Sequence, residues 1–153
     1  MTDYQIKMER ISDVKEELEP LLTKHWDEIA VNKDKVKLNV DWDSYFRLEN
    51  SGDIGLYTAR YQGDLVGYFA VISQRHIHYR DHIYAISDVV FVHPDHRKTK
   101  LGYRLFKFAE DDLKKRGVNI LVISTKVHKP FDPLMESMGF ELIERTYSKY
   151  LGD

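Results

Sequence analysis

The amino-acid sequence predicts an α/β fold, one sheet with helices packed on both faces. Three observations carry that prediction. Apolar runs of strand length recur along the chain, two of them are joined by a tight glycine-containing turn, and an amphipathic helical stretch separates two strongly apolar strands. At 153 residues the chain fits one domain, residues 1–153, and can bury a core.

Residues 4–11 alternate loosely and are expected to form the first strand. Behind Ser12, the residues Val14, Leu18, Leu21, Leu22 and His25 recur at helical spacing. Pro20 is expected to kink that helix or divide it in two. Residues 31–40 are polar and mixed, and read as a loop. Asp41 caps a short helix that stops at Ser51-Gly52. Residues 54–61 and 65–74 form two strands around Gln62-Gly63-Asp64, a hairpin turn with its glycine in place. The polar stretch 75–82 leads into a third long strand, residues 83–92, whose apolar end places it centrally. His93-Pro94-Asp95 stops it. Leu101, Leu105, Phe108, Ala109 and Leu113 line one face of a helix over 100–116, which Gly117 ends. Residues 118–125 read as another buried strand. Pro130 and Pro133 frame a short helix ended by Gly139, and residues 140–151 are expected to close the fold as one or two strands. The sequence holds no internal repeat or low-complexity tract.

Composition narrows the function classes. No stretch approaches the ~20 apolar residues of a membrane helix, and the first residues lack the apolar run of a signal peptide. A cytoplasmic location is therefore expected. The absence of cysteine excludes disulfides, cysteine nucleophiles and thiolate metal sites. The net charge is −2, from 23 basic and 25 acidic residues, which argues against a nucleic-acid partner. The basic residues are nevertheless clustered, with Arg97, Lys98, Lys100, Arg104, Lys107, Lys114, Lys115 and Arg116 all within 97–116.

That cluster lies in the segment with the strongest functional signal, residues 89–117. A buried strand ends at a proline, a basic turn follows, and an amphipathic helix begins. The first N–H groups of a helix have no intrahelical acceptor and carry partial positive charge, so together they suit a phosphate. Gly102 lets a ligand approach the backbone closely. Read on the residues alone, a solvated basic turn between strand and helix is an equally good description.

The segment resembles the acetyl-CoA motif of the GNAT family of N-acyltransferases, Arg/Gln-x-x-Gly-x-Gly/Ala after a strand and a Pro-containing turn. Here it reads Arg97-Lys98-Thr99-Lys100-Leu101-Gly102. The resemblance covers most of the chain, from two early helices and a hairpin to the short helix before Gly139-Phe140. The chain is also similar to small GNAT proteins of tailed bacteriophages. The resemblance implies a mixed, mostly antiparallel, twisted sheet that splays between its two central strands. It implies acetyl-CoA as co-substrate, with no metal. It also implies coenzyme contacts from Val90 and Val92 to the pantetheine arm and from Arg97, Lys98, Thr99, Lys100, Leu101, Gly102 and Tyr103 to the phosphates. His128 stands near the family's coenzyme-touching Asn. Lys100 replaces the family's first glycine, and it is expected to be helical there. Arg104 and nearby lysines are placed for the 3′-phosphate.

Transfer to an amine needs a group that removes a proton. The resemblance puts a carboxylate on the central strand, where Asp88 is the one present; a strand-end hydrogen bond is an equal reading. The family's acid, a Tyr four residues before the Gly-Phe pair, is Met135 here. Tyr147 or Tyr150 on the last strand is an alternative acid, with packing the commoner role for either. A third option is no side-chain acid, because a coenzyme thiol leaves readily as thiolate.

The acceptor is expected to be a small amine, a protein lysine or a protein N-terminus. His25-Trp26-Asp27-Glu28 and Asp41-Trp42-Asp43-Ser44-Tyr45 border its pocket in this fold, although Asp41 and Trp42 are also explained by capping and packing. His76, His78 and His82 form a polar hairpin tip more readily than a zinc site. A homodimer is left open. Two further readings stand beside the enzyme: a GNAT-fold binding protein without catalysis, motivated by Met135 and Lys100, and a nucleic-acid module using the basic face.

Overall fold

A computed structural model describes residues 3–153. The elements run β1 (Tyr4–Met8), α1 (Ile11–Ile29), α2 (Trp42–Ser51), β2 (Ile54–Tyr61), β3 (Asp64–Arg75), β4 (Ile83–Val92), a 3-10 turn (Pro94–His96), α3 (Leu101–Lys115), β5 (Ile120–Val122) and α4 (Asp132–Ser137). The five strands form one open sheet in the order β1-β2-β3-β4-β5. The first three pairings are antiparallel, and β5 lies parallel to β4. Parallel neighbours need a crossover, which α3 supplies.

The long apolar run of β3 is explained by burial on both faces. Phe69 and Val71 point into a cluster with Leu101, Leu105, Phe106, Ala109 and Leu113 of α3. Tyr68 and Ala70 point the opposite way, into a cluster with Ile11, Val14 and Leu18 of α1. Alternate residues of a strand face opposite sides, so one central strand serves both helical layers. The hairpin between β2 and β3 turns at Gln62 and Gly63, with φ of 50° and 91°. Two consecutive positive φ values suit the right-handed twist of the strands.

Two expectations change. The first helix is continuous through Pro20 rather than divided there. Its buried stripe of Ile11, Val14, Leu18 and His25 crosses the proline, and that packing offsets the lost backbone hydrogen bond. The helix begins at Ile11, not behind Ser12. Its end is capped from α2: the amides of Ile11 and Ser12 both donate to the Glu49 carboxylate. By contrast, Asp41 caps α2 as expected, accepting from the Ser44 amide at 3.0 Å.

The second change is at the C-terminus. Residues 140–151 form no strand, and β5 spans only three residues. Leu142, Ile143, Tyr147 and Leu151 are between 68% and 88% exposed. A strand needs a hydrogen-bonded neighbour, and this segment has none among the described residues. No helix among the described residues is long and apolar enough to cross a membrane.

Candidate functional site

The last two strands of the sheet, β4 and β5, separate. β5 pairs with β4 only at Tyr84, Ala85 and Ile86. The Ser124 amide then donates to the Ser87 hydroxyl at 3.0 Å, and beyond that point β4 has β3 as its sole strand neighbour among the described residues. The His93 amide donates to the Val66 carbonyl of β3 at 2.7 Å. Backbone polarity alternates along a strand, so Phe91 and Val89 also face β3. Val90 and Val92 therefore turn their N–H and C=O groups into the gap.

The opening end of that gap meets the N-terminus of α3. Lys100 is the residue just before the helix, with φ −82° and ψ 19° and no side-chain cap. Its φ is negative, so lysine at the family's glycine position carries no backbone strain. The Leu101 amide takes the Thr99 hydroxyl at 3.2 Å, and the Arg104 amide returns to the Lys100 carbonyl. Between them, Gly102 and Tyr103 have N–H groups without an intrahelical acceptor. Gly102 has no positive φ, and a Cβ there would meet only Leu134 Cδ2 at 3.5 Å, an ordinary contact. Neither conformation nor internal packing demands glycine at this position.

Arg97 occupies the rim differently from the lysines beside it. Its Nε donates to the Val92 carbonyl at 2.6 Å, and its guanidinium pairs with Glu28 of α1 at 2.9 Å. It also lies over the Phe91 ring at 5.4 Å. The arginine thus bridges α1 to the end of β4 and covers one of the two backbone carbonyls that face the gap. Lys98 and Lys100 are exposed. Beneath Arg97, His25 is 9% exposed and meets the Phe91 ring at a tilt, centroids 5.2 Å apart. Tyr68 Oη lies 3.2 Å from His25 Nδ1. Burial pushes this imidazole down to about 4, against the pull of Glu28, so it is neutral at neutral pH.

Asp88 stands at an irregularity in the sheet. The register slips between Ala70 and Val71, with Val89 opposite Ala70 and Ser87 opposite Val71, so Asp88 is the extra residue of a β-bulge. A bulge re-aims the side chain it carries. Here the carboxylate accepts a hydrogen bond from the Tyr45 hydroxyl of α2. Burial, and then the Asp88 carboxylate, push Tyr45 well above the usual tyrosine range, so it remains a donor. Below the pair, Trp42, Tyr45, Tyr68 and Val89 wall a narrow apolar cleft between α1, α2 and the sheet.

The remaining residues singled out in the sequence fall elsewhere. Tyr147 is on the extended C-terminal segment, 88% exposed. Neighbouring Tyr150 sits under Lys35 at 4.9 Å. His128 Nε2 is 3.0 Å from the Ile29 carbonyl at the end of α1. Met135 is buried in the α3-side core. The tryptophans already hold lysines of their own chain, Lys15 over Trp42 and Lys33 over Trp26. His76 stacks on His78 and Tyr84, and no group of three or more His, Asp or Glu among the described residues is placed to hold a metal. The α2 cap at Asp41 was legible in the sequence. The partnerships of Tyr45 with Asp88 and Glu28 with Arg97 were not legible there, because no short-range pattern links residues so far apart.

Comparison with known proteins agrees with the fold. The model of the acetyltransferase (GNAT) family matches residues 12–140. Among curated proteins, none matches the chain by sequence. Solved structures match in fold. A ribosomal-protein-alanine N-acetyltransferase from Brucella melitensis is 20% identical with a TM-score of 0.76, over 98% of this chain and 99% of that one. A glucosamine-6-phosphate N-acetyltransferase from Arabidopsis thaliana is 18% identical with a TM-score of 0.73, over 97% and 99%. A predicted acetyltransferase from Clostridium acetobutylicum, solved with acetyl-CoA, is 12% identical with a TM-score of 0.69, over 97% and 96%.

Proposed function

The chain belongs to the GNAT family of acetyltransferases, and from that premise we propose that it moves an acetyl group from acetyl-CoA to a primary amine. The observation that carries this reading is the meeting of an unpaired β4 edge with a glycine-bearing helix N-terminus. Acetyl-CoA supplies an activated thioester. The free amides of Gly102 and Tyr103 bind its pyrophosphate, with Lys98 and Lys100 adding charge from the rim. Thr99 and Leu101 shape this turn: the Thr99 hydroxyl takes up the first helical amide and leaves the next two free. Val90 and Val92 hold the pantetheine arm by strand-like hydrogen bonds. The Val90 N–H points where negative charge grows on the thioester carbonyl, and a fixed donor there lowers the barrier.

Asp88 is the proton acceptor. It is exposed, it borders the same gap, and the Tyr45 hydroxyl fixes its orientation. An incoming ammonium is attracted to the carboxylate and gives up its proton there before attack. Met135, buried and without a titratable group, leaves the thiolate to depart unassisted by that position. Tyr147 is retained as an acid only if the exposed C-terminal segment is brought to the gap.

The acceptor is a small amine, a protein lysine or a protein N-terminus. Calorimetry with acetyl-CoA tests coenzyme binding, and thiol release across an amine panel tests turnover. Saturable binding with amine-dependent release is the expected result. Failure to bind acetyl-CoA would overturn the proposal, and binding without any amine-stimulated release would favour a coenzyme-binding protein.

A further inference from the structure

A small amine, a protein lysine and a protein N-terminus differ at the carbon that carries the nitrogen, and the cleft beside Asp88 tells them apart. That cleft, between α1, α2 and the sheet, holds about 20 Å³ of free space. Leu18, Tyr68 and Ala70 close its floor, 4%, 0% and 2% exposed. Leu22, Tyr45 and Val89 line its half-buried mouth. Two of those three also frame Asp88: the Tyr45 hydroxyl donates to its carboxylate, and Val89 follows it in the chain. The free space and the proton acceptor thus share a boundary.

The cleft is apolar and small. Roughly 10–15 Å³ holds one water molecule, and a methyl group is of similar size. About 20 Å³ therefore admits a methyl but not an isopropyl or isobutyl group. Water is a poor occupant, because it needs roughly two to four polar partners. The two tyrosine hydroxyls are committed elsewhere: that of Tyr68 lies 3.2 Å from His25 Nδ1, and that of Tyr45 is on Asp88. An amine that gives its proton to Asp88 has its nitrogen at the carboxylate, and its next carbon stands beside Tyr45 and Val89. A lysine or a glycine turns only hydrogens from that carbon to the cleft. An amine on a methyl-bearing carbon turns the methyl to it.

The geometry points to a primary amine on a carbon that bears a single methyl group, as in an N-terminal alanine, as the preferred acceptor, with Leu22, Ala70 and Val89 setting the limit. This selectivity rests on the acetyl-transfer reading and deepens it. The ammonium gives one proton to Asp88 and the nitrogen attacks the thioester carbon. The C–N bond forms as the C–S bond breaks, and the thiolate leaves with the electron pair and takes up the second proton from nitrogen. Moving the methyl from water into the cleft favours that acceptor in the transition state. A larger side chain has to push Leu22 or Val89 aside.

Thiol release by the full chain tests this, with acetyl-CoA and one of six acceptors: glycinamide, L-alaninamide, D-alaninamide, L-valinamide, L-leucinamide or Nα-acetyl-lysinamide. L-Alaninamide should show a kcat/KM at least about fourfold above glycinamide and the lysine derivative. It should also stand at least about fivefold above L-valinamide and L-leucinamide. D-Alaninamide has the same basicity and apolar area but aims its methyl elsewhere, and should lose the advantage. Leu22→Ala widens the mouth and should raise the ratio of kcat/KM for L-valinamide over L-alaninamide by about tenfold. Equal kcat/KM for glycinamide and both alaninamides, or a larger or unbranched amine as the fastest acceptor, would overturn the selectivity and leave acetyl transfer standing. So would a folded Leu22→Ala variant with the wild-type ratio. Thiol release from no amine at all would overturn the acetyl-transfer reading, and the selectivity with it.

Discussion

Replacing Gly102 by glutamate separates what the chain needs from what its ligand needs. In the free protein the position is the second residue of α3, with helical backbone and room for a Cβ at 3.5 Å from Leu134. Leaving glycine behind gains about 1 kcal/mol of helix propensity. A carboxylate in the first turn adds roughly 0.3–1 kcal/mol through the helix dipole. For a chain of this length, 1 kcal/mol corresponds to about 2–4 °C in Tm. The variant should therefore melt higher than the wild type. Coenzyme binding should move the other way. A carboxylate about 4 Å from a phosphate, in an effective dielectric near 20, costs about 4 kcal/mol. Solvent screening lowers that figure, leaving a loss of roughly a hundredfold to a thousandfold in affinity. Differential scanning calorimetry and titration with acetyl-CoA read the two effects separately. A variant that is stabilised yet binds acetyl-CoA like the wild type would refute the assignment of the phosphate site. A variant that melts several degrees lower would refute the claim that glycine is not required by the fold.

Three further outcomes follow from the same geometry. Asp88→Asn should lower kcat/KM by about 10²–10⁴, while acetyl-CoA affinity stays unchanged; wild-type kcat/KM would remove Asp88 from the chemistry. Glu28→Gln removes Arg97's ion pair while its Nε still donates to the Val92 carbonyl, so the guanidinium is freer to meet a phosphate and acetyl-CoA should bind about fivefold tighter, with stability changed by no more than ~1 kcal/mol; weaker binding would show that the bridge holds the site open. His25 makes stability depend on pH. Its folded value of about 4 lies below the ordinary 6.5, so between those limits the unfolded chain takes a proton that the folded chain refuses. Stability is constant above pH 6.5 and falls by up to ~3 kcal/mol as the pH drops towards 4. Denaturant titrations of His25→Gln should show that stretch of the slope flattened; an identical slope would place the effect elsewhere.

The parts of the fold legible in the sequence are those where one side chain after another obeys a single period. α3 is such an element, β3 stands out as one unbroken apolar run, and the Gln62-Gly63 turn is fixed by local backbone preference. Pro20 was misleading because its local rule competes with tertiary packing: a buried stripe and a cap from Glu49 hold the helix through it. Residues 140–151 show the opposite failure. Their apolar and aromatic residues suggested a strand, but pairing requires a neighbour, and no local pattern says which edge provides it. At the site, the strand–turn–helix and Gly102 stood out because they are contiguous. The bulge that presents Asp88 arises from register against β3, and the Arg97–Glu28 bridge joins residues 69 apart. Both depend on the assembled sheet and its helices.

Backbone amide exchange followed residue by residue by NMR, with and without saturating acetyl-CoA, reaches the central claim most directly. The amides of Val90, Val92, Gly102 and Tyr103 should become strongly protected together, because each gains an acceptor from the coenzyme. Saturation with those four amides unchanged, or with protection confined to another face of the molecule, would contradict the account.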